Sequence, residues 1–362
     1  MLDRLEARSE PGQREDGWRV ALAVEGGGMR GVLSAGMLLA LEQLGLRTTV
    51  DLVVGTSAGA LASAFFVDGR AAEGSVLFYT ELNGPPFLDR SRLLKRDAAF
   101  NLDYLIRDAA PRRGLNFAAL NRSKIELYAT ATPVDPDNAT TVFRVNGSQA
   151  RIASILAATA SLPVLAGSAK VVEGKEYVDG ALTEPIPWRT AAALGATHVL
   201  VLPTRPVIEH GEMNSLSFAE RMAVVPVVRS VHGNHVGDLA ASLPARASRA
   251  AWNLRAVSEG RATPIEWMEG RGQPRFDVVE IDDDAALPDR METSRTVLVD
   301  ALKFGAETML DHAGLRGEGG IKVEQRVVLT HPRATVKGFR ASRLSRVVER
   351  RRDELEPDEA DG

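Results

Sequence analysis

Val50-Asp51-Leu52-Val53-Val54-Gly55-Thr56-Ser57-Ala58-Gly59-Ala60-Leu61 is the stretch that decides the fold. The run Val50 to Val54 is apolar and rich in β-branched residues, as a buried strand is, and the alanine-rich stretch Ala58 to Val67 has the make-up of a helix. Between them Gly55-Thr56-Ser57-Ala58-Gly59 sets a serine between two glycines. A strand that turns at once into a helix leaves little room for Cβ atoms beside the turn, which glycines at those positions relieve. Ser57 is then held above the sheet edge at a helix N-terminus. Unpaired N–H groups and the positive end of the helix dipole there favour the negative charge that develops during acyl transfer. A serine so placed is a candidate nucleophile.

Toward the N-terminus, Val20-Ala21-Leu22-Ala23-Val24 reads as a buried strand, Gly26-Gly27-Gly28-Met29-Arg30-Gly31 as a loop and Val32 to Leu44 as a helix. Two parallel strands with right-handed connections put the glycine loop and the serine turn at the same, carboxyl, edge of one sheet. The fold class expected is α/β, a three-layer α/β/α sandwich with a mainly parallel sheet. The N–H groups of Gly27 and Gly28 are then candidates for an oxyanion hole facing Ser57. Gly26, Gly28 and Gly31 also fit the G-x-G-x-x-G of a dinucleotide fold, with Asp51 about twenty residues on. That acid belongs at the carboxyl end of the second strand, whereas Asp51 stands at its beginning. A dinucleotide-dependent oxidoreductase is therefore the runner-up reading of the loop.

Farther on comes Asp179-Gly180-Ala181. With the glycine loop and the serine turn it completes a set that resembles, in order and spacing, the three signatures of patatin-like phospholipases. The resemblance covers about Arg19 to Arg205. It includes the small-residue stretch Ala157-Ala158-Thr159-Ala160-Ser161-Leu162-Pro163 before the aspartate and Glu184-Pro185-Ile186-Pro187 after it. It implies a patatin-like fold and a cofactor-free acyl-ester hydrolase, of phospholipase A or lysophospholipase type, acting on lipid esters. Ser57 would be the nucleophile and Asp179 the base. Gly26, Gly27, Gly28, Arg30 and Gly31 would form the oxyanion-hole motif, Gly55 and Gly59 the elbow, and Gly180 and Ala181 the aspartate motif. A catalytically silent, lipid-binding or regulatory member of the family is the alternative.

The chemistry of such a dyad has its own requirements. An ordinary aspartate, with a pKa near 4, is a poor base toward a serine hydroxyl. Burial must raise its basicity, and a short hydrogen bond must let proton transfer accompany attack. Gly174 is expected to turn a hairpin between Lys170-Val171-Val172 and Glu176-Tyr177-Val178, so that Asp179 emerges at a strand end. A conventional triad would need a histidine, and His198, His210, His232, His235, His312 and His331 all follow Asp179. His198 falls in an expected strand, Thr197 to Leu202, and the others lie in polar or irregular segments or at a helix end. An α/β-hydrolase also needs several strands before its elbow, and here there is one. His232 and His235 lie close together, but Gly233-Asn234 reads as a turn and no glutamate accompanies them, so no metal site is expected.

The chain has 362 residues, 44% of them hydrophobic, enough for a large core. A net charge of -4 does not suggest a nucleic-acid partner, and with no cysteine there is neither a disulfide nor a thiol metal site. Residues 1–18 form a polar N-terminal arm without the apolar core of a signal peptide, so a cytoplasmic location is the default expectation. The longest apolar run, Ala191 to Pro203, is too short to span a bilayer, and any membrane contact is expected to be peripheral. Residues 19–205 are read as the catalytic core and 206–314 as a lid with a closing strand and helix of the same domain. Within the latter, Arg205 to Pro274 is expected to hold short helical pieces broken by Pro206, Pro226 and Pro244, serving as a lid or as plain core. Arg275 to Ile281 reads as a strand and Ser294 to His312 as a helix. Between elbow and aspartate, Lys124 to Thr130 and Thr141 to Val145 read as strands joined by Pro133, Asp135, Pro136, Asp137 and Asn138. Asn83 to Leu88 reads as a loop, followed by Arg90, Arg92, Lys95 and Arg96 interleaved with Leu93, Leu94 and Phe100, read as a surface helix with solvated charges or as a segment that leans on a lipid surface. Residues 315–362 are a C-terminal extension, basic from Arg333 and then acidic, read as a solvated terminus or an amphipathic helix.

Overall fold

The computed structural model describes residues 1–95, 97–135, 140–206, 218–259, 274–282, 285–314, 322–323 and 327–328. Arg96, Pro136, Asp137, Asn138, His210, His331 and the tail from Arg333 lie outside the described residues, as do 207–217 and 260–273 of the segment read as a lid.

Eight strands make the main sheet: β1 (Val20–Val24), β2 (Leu52–Thr56), β3 (Glu126–Pro133), β4 (Thr141–Arg144), β5 (Lys170–Val172), β6 (Lys175–Asp179), β7 (His198–Leu202) and β8 (Arg275–Val278). Their order is β5-β6-β3-β2-β1-β7-β8, with β4 also paired to β3. From β3 through β2, β1 and β7 to β8 every pairing is parallel. On the far side of β3, β4 and β6 are antiparallel, and β5 and β6 form the expected hairpin with positive φ at Glu173 and Gly174. β2 begins and ends two residues later than the apolar run suggests, reaching Thr56 directly before the serine.

Successive side chains on a strand point to opposite faces, and here they enter different cores. Leu22, Val24, Val53, Leu200 and Leu202 join one cluster with the helices Val32–Gln43, Ala58–Val67, Ala71–Thr80, Gln149–Thr159 and Arg295–His312. Ala21, Ala23, Leu52, Val54, Val199 and Val201 join another with the helix Trp188–Ala193 and with Ala251 and Leu254. Helices on both faces of a mainly parallel sheet give the expected three-layer α/β/α sandwich.

The helix Arg295–His312, capped by Ser294, closes the fold by lying on Val32–Gln43. Glycines permit the approach: a Cβ on Gly36 would come within 2.2 Å of the Leu302 carbonyl oxygen, and one on Gly305 within 2.2 Å of that of Leu33. The residues 1–18 fold against the amino edge. There the buried Arg4 donates to Asp16, Asp51 and the carbonyls of Thr49 and Trp18.

Between Arg205 and Pro274 the structure corrects the expected succession of short pieces. A long helix, Phe218–Ser258, runs through Pro226 and Pro244 and is broken only at Gly233, whose φ is 83°. Val228, Val236, Leu239 and Leu243 pack on Val178 and Leu182 beneath it, and this burial outweighs the local cost of the prolines. No helix among the described residues is long and apolar enough to cross a membrane.

Candidate active site

Ser57 caps the helix Ala58–Val67 with φ 56° and ψ -129°, a backbone conformation a side-chain-bearing residue adopts only when its surroundings hold it there. Here the surroundings are close-packed. A Cβ on Gly26 would fall 2.4 Å from the Thr56 carbonyl oxygen, so the glycine loop lies directly against the serine turn. Gly31 packs on Ala58, Gly55 on Ala60, and Gly59 on the carbonyls of Val24 and Glu25 at the end of β1. Ser57 N–H donates to Thr159 Oγ1 at 2.9 Å, which gives the small-residue stretch before the aspartate a definite contact.

The Ser57 hydroxyl donates to Asp179 Oδ2 at 2.7 Å. Asp179 is 1% exposed, ends β6, and receives a second bond from Ala181 N–H to Oδ1 at 2.8 Å. Gly180 lies under the Thr130 carbonyl. Burial pushes the Asp179 carboxyl up to about 6, while the bonds from Ser57 and Ala181 and the charge of Arg290 pull the other way. A carboxylate of that basicity, hydrogen-bonded to a hydroxyl, is placed to accept its proton as the oxygen attacks.

Gly27 and Gly28 have positive φ, 144° and 60°. Among the described residues their N–H groups meet no protein acceptor, and both glycines line a cavity with Ser57 and Asp179. Met29 N–H donates to the Arg290 carbonyl at 3.0 Å, tying the loop to the segment before the last helix. The Asp51 of the dinucleotide alternative is at the opposite edge, hydrogen-bonded by Arg4, Arg14 and Val20 N–H.

Two cavities meet at Ser57. One is apolar, walled by Leu61, Phe78, Phe87, Phe100, Ile106 and Leu156 among others. The other is polar and holds Glu25, Arg30, Arg205 and Arg290. Ser57, Asp179, Gly28 and Leu162 line both. Glu25 is 1% exposed; it accepts from Thr204 N–H at 2.8 Å and from Arg205 Nε at 2.7 Å. Burial alone would raise its pKa, but the Arg205 guanidinium holds it below the ordinary value. Burial also lowers Arg30 to about 10, which leaves it charged at neutral pH.

Among the described residues no histidine lines either cavity. His198 stacks edge-on against Trp18 at the start of β7, and His312 pairs with Asp277 at 3.1 Å. His232 and His235 flank the Gly233 break, and no group of three or more His, Asp and Glu among the described residues is arranged for a metal.

The sequence reading brought together Ser57, Asp179 and the glycine loop, but it missed the walls. Phe78 stands in the helix Ala71–Thr80, whereas Leu82, Phe87 and Phe100 follow it in irregular chain, where a loop crowded with large apolar residues was the available signal. Arg205 and Arg290 are distant in sequence and carry no motif.

The patatin-like phospholipase family profile matches residues 22–192. The uncharacterized protein YjjU of Escherichia coli (strain K12) is 29% identical over 191 residues, 52% of this chain and 52% of that protein, so the match spans about half the length of this curated relative. Among solved structures, VipD from Legionella pneumophila aligns with 84% of this chain and 70% of its own, at 12% identity and a TM-score of 0.37. The full-length SpcU–ExoU complex from Pseudomonas aeruginosa aligns with 93% of this chain and 78% of its own, at 13% identity and a TM-score of 0.29. At these TM-scores the likeness is loose, and the fold assignment rests on the sheet and helices themselves. Over residues 22–192, the segment that contains both Ser57 and Asp179, this chain is similar to the patatin-like phospholipases.

Proposed function

We propose that the protein is a serine acyl-ester hydrolase of the phospholipase A or lysophospholipase type, releasing fatty acid from lipid esters through a Ser57–Asp179 dyad. The observation that carries this reading is the 2.7 Å hydrogen bond from the Ser57 hydroxyl to a buried carboxylate. Ser57 Oγ attacks the ester carbonyl while Asp179 Oδ2 takes its proton. The N–H groups of Gly27 and Gly28 receive the oxyanion, and the proton returns to the departing alcohol. A water, deprotonated in turn by Asp179, then cleaves the acyl-serine. The acyl chain lies in the apolar cavity, whose walls exclude solvent from its length. With a lipid substrate and no described helix able to cross a bilayer, contact with the membrane is peripheral in this reading.

The test is covalent labelling with a fluorophosphonate, which reacts only with an activated serine, together with turnover of p-nitrophenyl butyrate. Label is expected on the peptide containing Ser57, and Ser57→Ala is expected to lose both label and turnover while keeping the wild-type circular dichroism. Turnover retained in Ser57→Ala, or label on another serine, would refute the assignment.

A further inference from the structure

Gly26, Gly27 and Gly28 stand in succession after β1, and such a loop has little of its own to fix it. A glycine has no Cβ to restrict its torsions, so the peptide unit between Gly26 and Gly27 is among those that local sterics hold least; Gly27 has φ 144°. Yet one end of that unit has a definite partner. Thr204, two residues beyond the end of β7, donates its hydroxyl to the Gly26 carbonyl at 2.7 Å. The next carbonyl is tied as well, that of Gly27 accepting from Arg30 N–H at 3.2 Å.

In a trans peptide the C=O and N–H bonds point in opposite directions. The bond from Thr204 therefore fixes the Gly27 N–H along with the Gly26 carbonyl. Gly26 and Gly27 line the polar cavity with Ser57, whereas Thr204 is fully buried and lines neither cavity. With the carbonyl drawn back to Thr204, the N–H of the same unit is turned the other way, and among the described residues it meets no protein acceptor. Thr204 is itself held in place. Its N–H donates to Glu25 Oε2 at 2.8 Å, Glu25 N–H donates to the Leu202 carbonyl at 3.0 Å, and Arg205 Nε holds the other carboxylate oxygen at 2.7 Å. The ends of β1 and β7 thus grip each other around the threonine, so its hydroxyl reaches the loop from a fixed point. Thr204 also lies outside the segment 22–192.

Resting on the hydrolase reading above, we infer that Thr204 is a positioning residue for the oxyanion hole, its hydroxyl holding the Gly26–Gly27 peptide in the orientation that offers Gly27 N–H to the oxyanion. Preorganised donors stabilise a developing charge because they need no reorientation as it forms. A glycine peptide free to turn would lose part of that stabilisation to its own ordering. The effect falls on kcat more than on substrate binding, since the charge on the carbonyl oxygen is greater in the transition state than in the bound ester.

Kinetics and structure together test this. Thr204→Val keeps the shape of threonine without its hydroxyl, and Thr204→Ala removes the hydroxyl without putting a methyl in its place; either one that keeps the wild-type circular dichroism suffices. Both are expected to lower kcat for p-nitrophenyl butyrate at least about tenfold with KM changed less than about threefold, and Thr204→Ser, which keeps the hydroxyl, to recover most of the loss. A wild-type kcat without the hydroxyl, or a Thr204→Ser enzyme as impaired as the others, would overturn the assignment. The pH at which kcat/KM falls on acidification should stay at the wild-type value, because the bonds of Asp179 to Ser57 and Ala181 are untouched. A displaced limb would trace the loss to the dyad and count against a role through the loop. Crystal structures of the wild type and Thr204→Ala give a readout that needs no turnover. The Gly26–Gly27 peptide is expected to rotate, or to lose its single orientation, in the variant, and an unchanged peptide would sink the proposal even with a lowered kcat. Should the wild type fail to label at Ser57, the hydrolase reading falls instead, and the two crystal structures still decide whether Thr204 sets that peptide.

Discussion

A carboxyl group that titrates at about 6 is half-protonated within the range where enzymes are commonly assayed, so Asp179 ties both activity and stability to pH. In the proposed dyad only its ionised form accepts the Ser57 proton. The kcat/KM profile for a neutral ester is therefore expected to have an acidic limb with an apparent pKa near 6, read from initial rates between pH 4.5 and 8.5. A limb near 4, or none, would mean that this group is not the base. Stability runs the other way. The folded pKa lies above the ordinary 3.8, so the native state favours the protonated acid. The contribution is fully present below about 4 and is lost as pH rises to about 6, amounting to roughly 3 kcal/mol at most. Asp179→Asn should accordingly lose turnover to nearly the extent of Ser57→Ala, since in the proposed dyad the two residues act as one unit. Its Tm relative to wild type should climb between pH 4 and 6 and level off above. A Tm difference that stays flat through that window would rule out the buried charge as its cause.

The elements that meet at the site do so through backbone more than through side chains. At Gly28 a Cβ would stand 2.6 Å from the Arg290 carbonyl oxygen, and φ is 60°. Gly28→Ala should push the loop from that carbonyl and displace its N–H groups, lowering kcat by roughly a hundredfold with a smaller change in KM. An undiminished kcat in that variant would speak against the oxyanion role. On the apolar side Ala160 lines the cavity just beyond the helix Gln149–Thr159, and Ala160→Phe should shorten the space for a chain. The expected outcome is a loss of at least tenfold in kcat/KM for a C16 ester relative to the butyrate. Legibility divides along the same line. β1, the helix Ala58–Val67 and the hairpin ending at Asp179 were readable because apolar runs there end at glycines or turn residues. Phe218–Ser258 was not, because Pro226 and Pro244 mark breaks locally, whereas the helix is stabilised by contacts with Val178 and Leu182, residues remote in sequence. Arg290 was invisible for a related reason: only the folded chain shows that its carbonyl reaches Met29.

For the whole molecule, the segment 22–192 is an incomplete body. β7, next to β1, comes after it, and the helix Val32–Gln43 is covered by Arg295–His312. A chain ended at residue 206 would expose a face that includes Leu33 and Met37, both fully buried in the complete fold. It is expected to aggregate or to unfold without a cooperative transition, as followed by thermal melting and size-exclusion chromatography. Gly305→Val in the full chain should destabilise by several kcal/mol, because its side chain would meet the Leu33 carbonyl at a crossing that has no room for it. A Tm within a degree or two of wild type would show that the helices can part there without cost.

That crossing also sets a timetable. The glycines at 36 and 305 join residues made far apart in synthesis. At about 5–20 residues per second, a ribosome takes roughly ten seconds to travel from residue 206 to 312. Throughout that interval the first helix must wait with its apolar surface uncovered. The closing partner is long-range in sequence, and contacts of that kind form late. During translation the nascent chain therefore passes through a stage with the serine turn already made and the outer face of the helix Val32–Gln43 still bare, exposed apolar surface of the kind on which chaperones act.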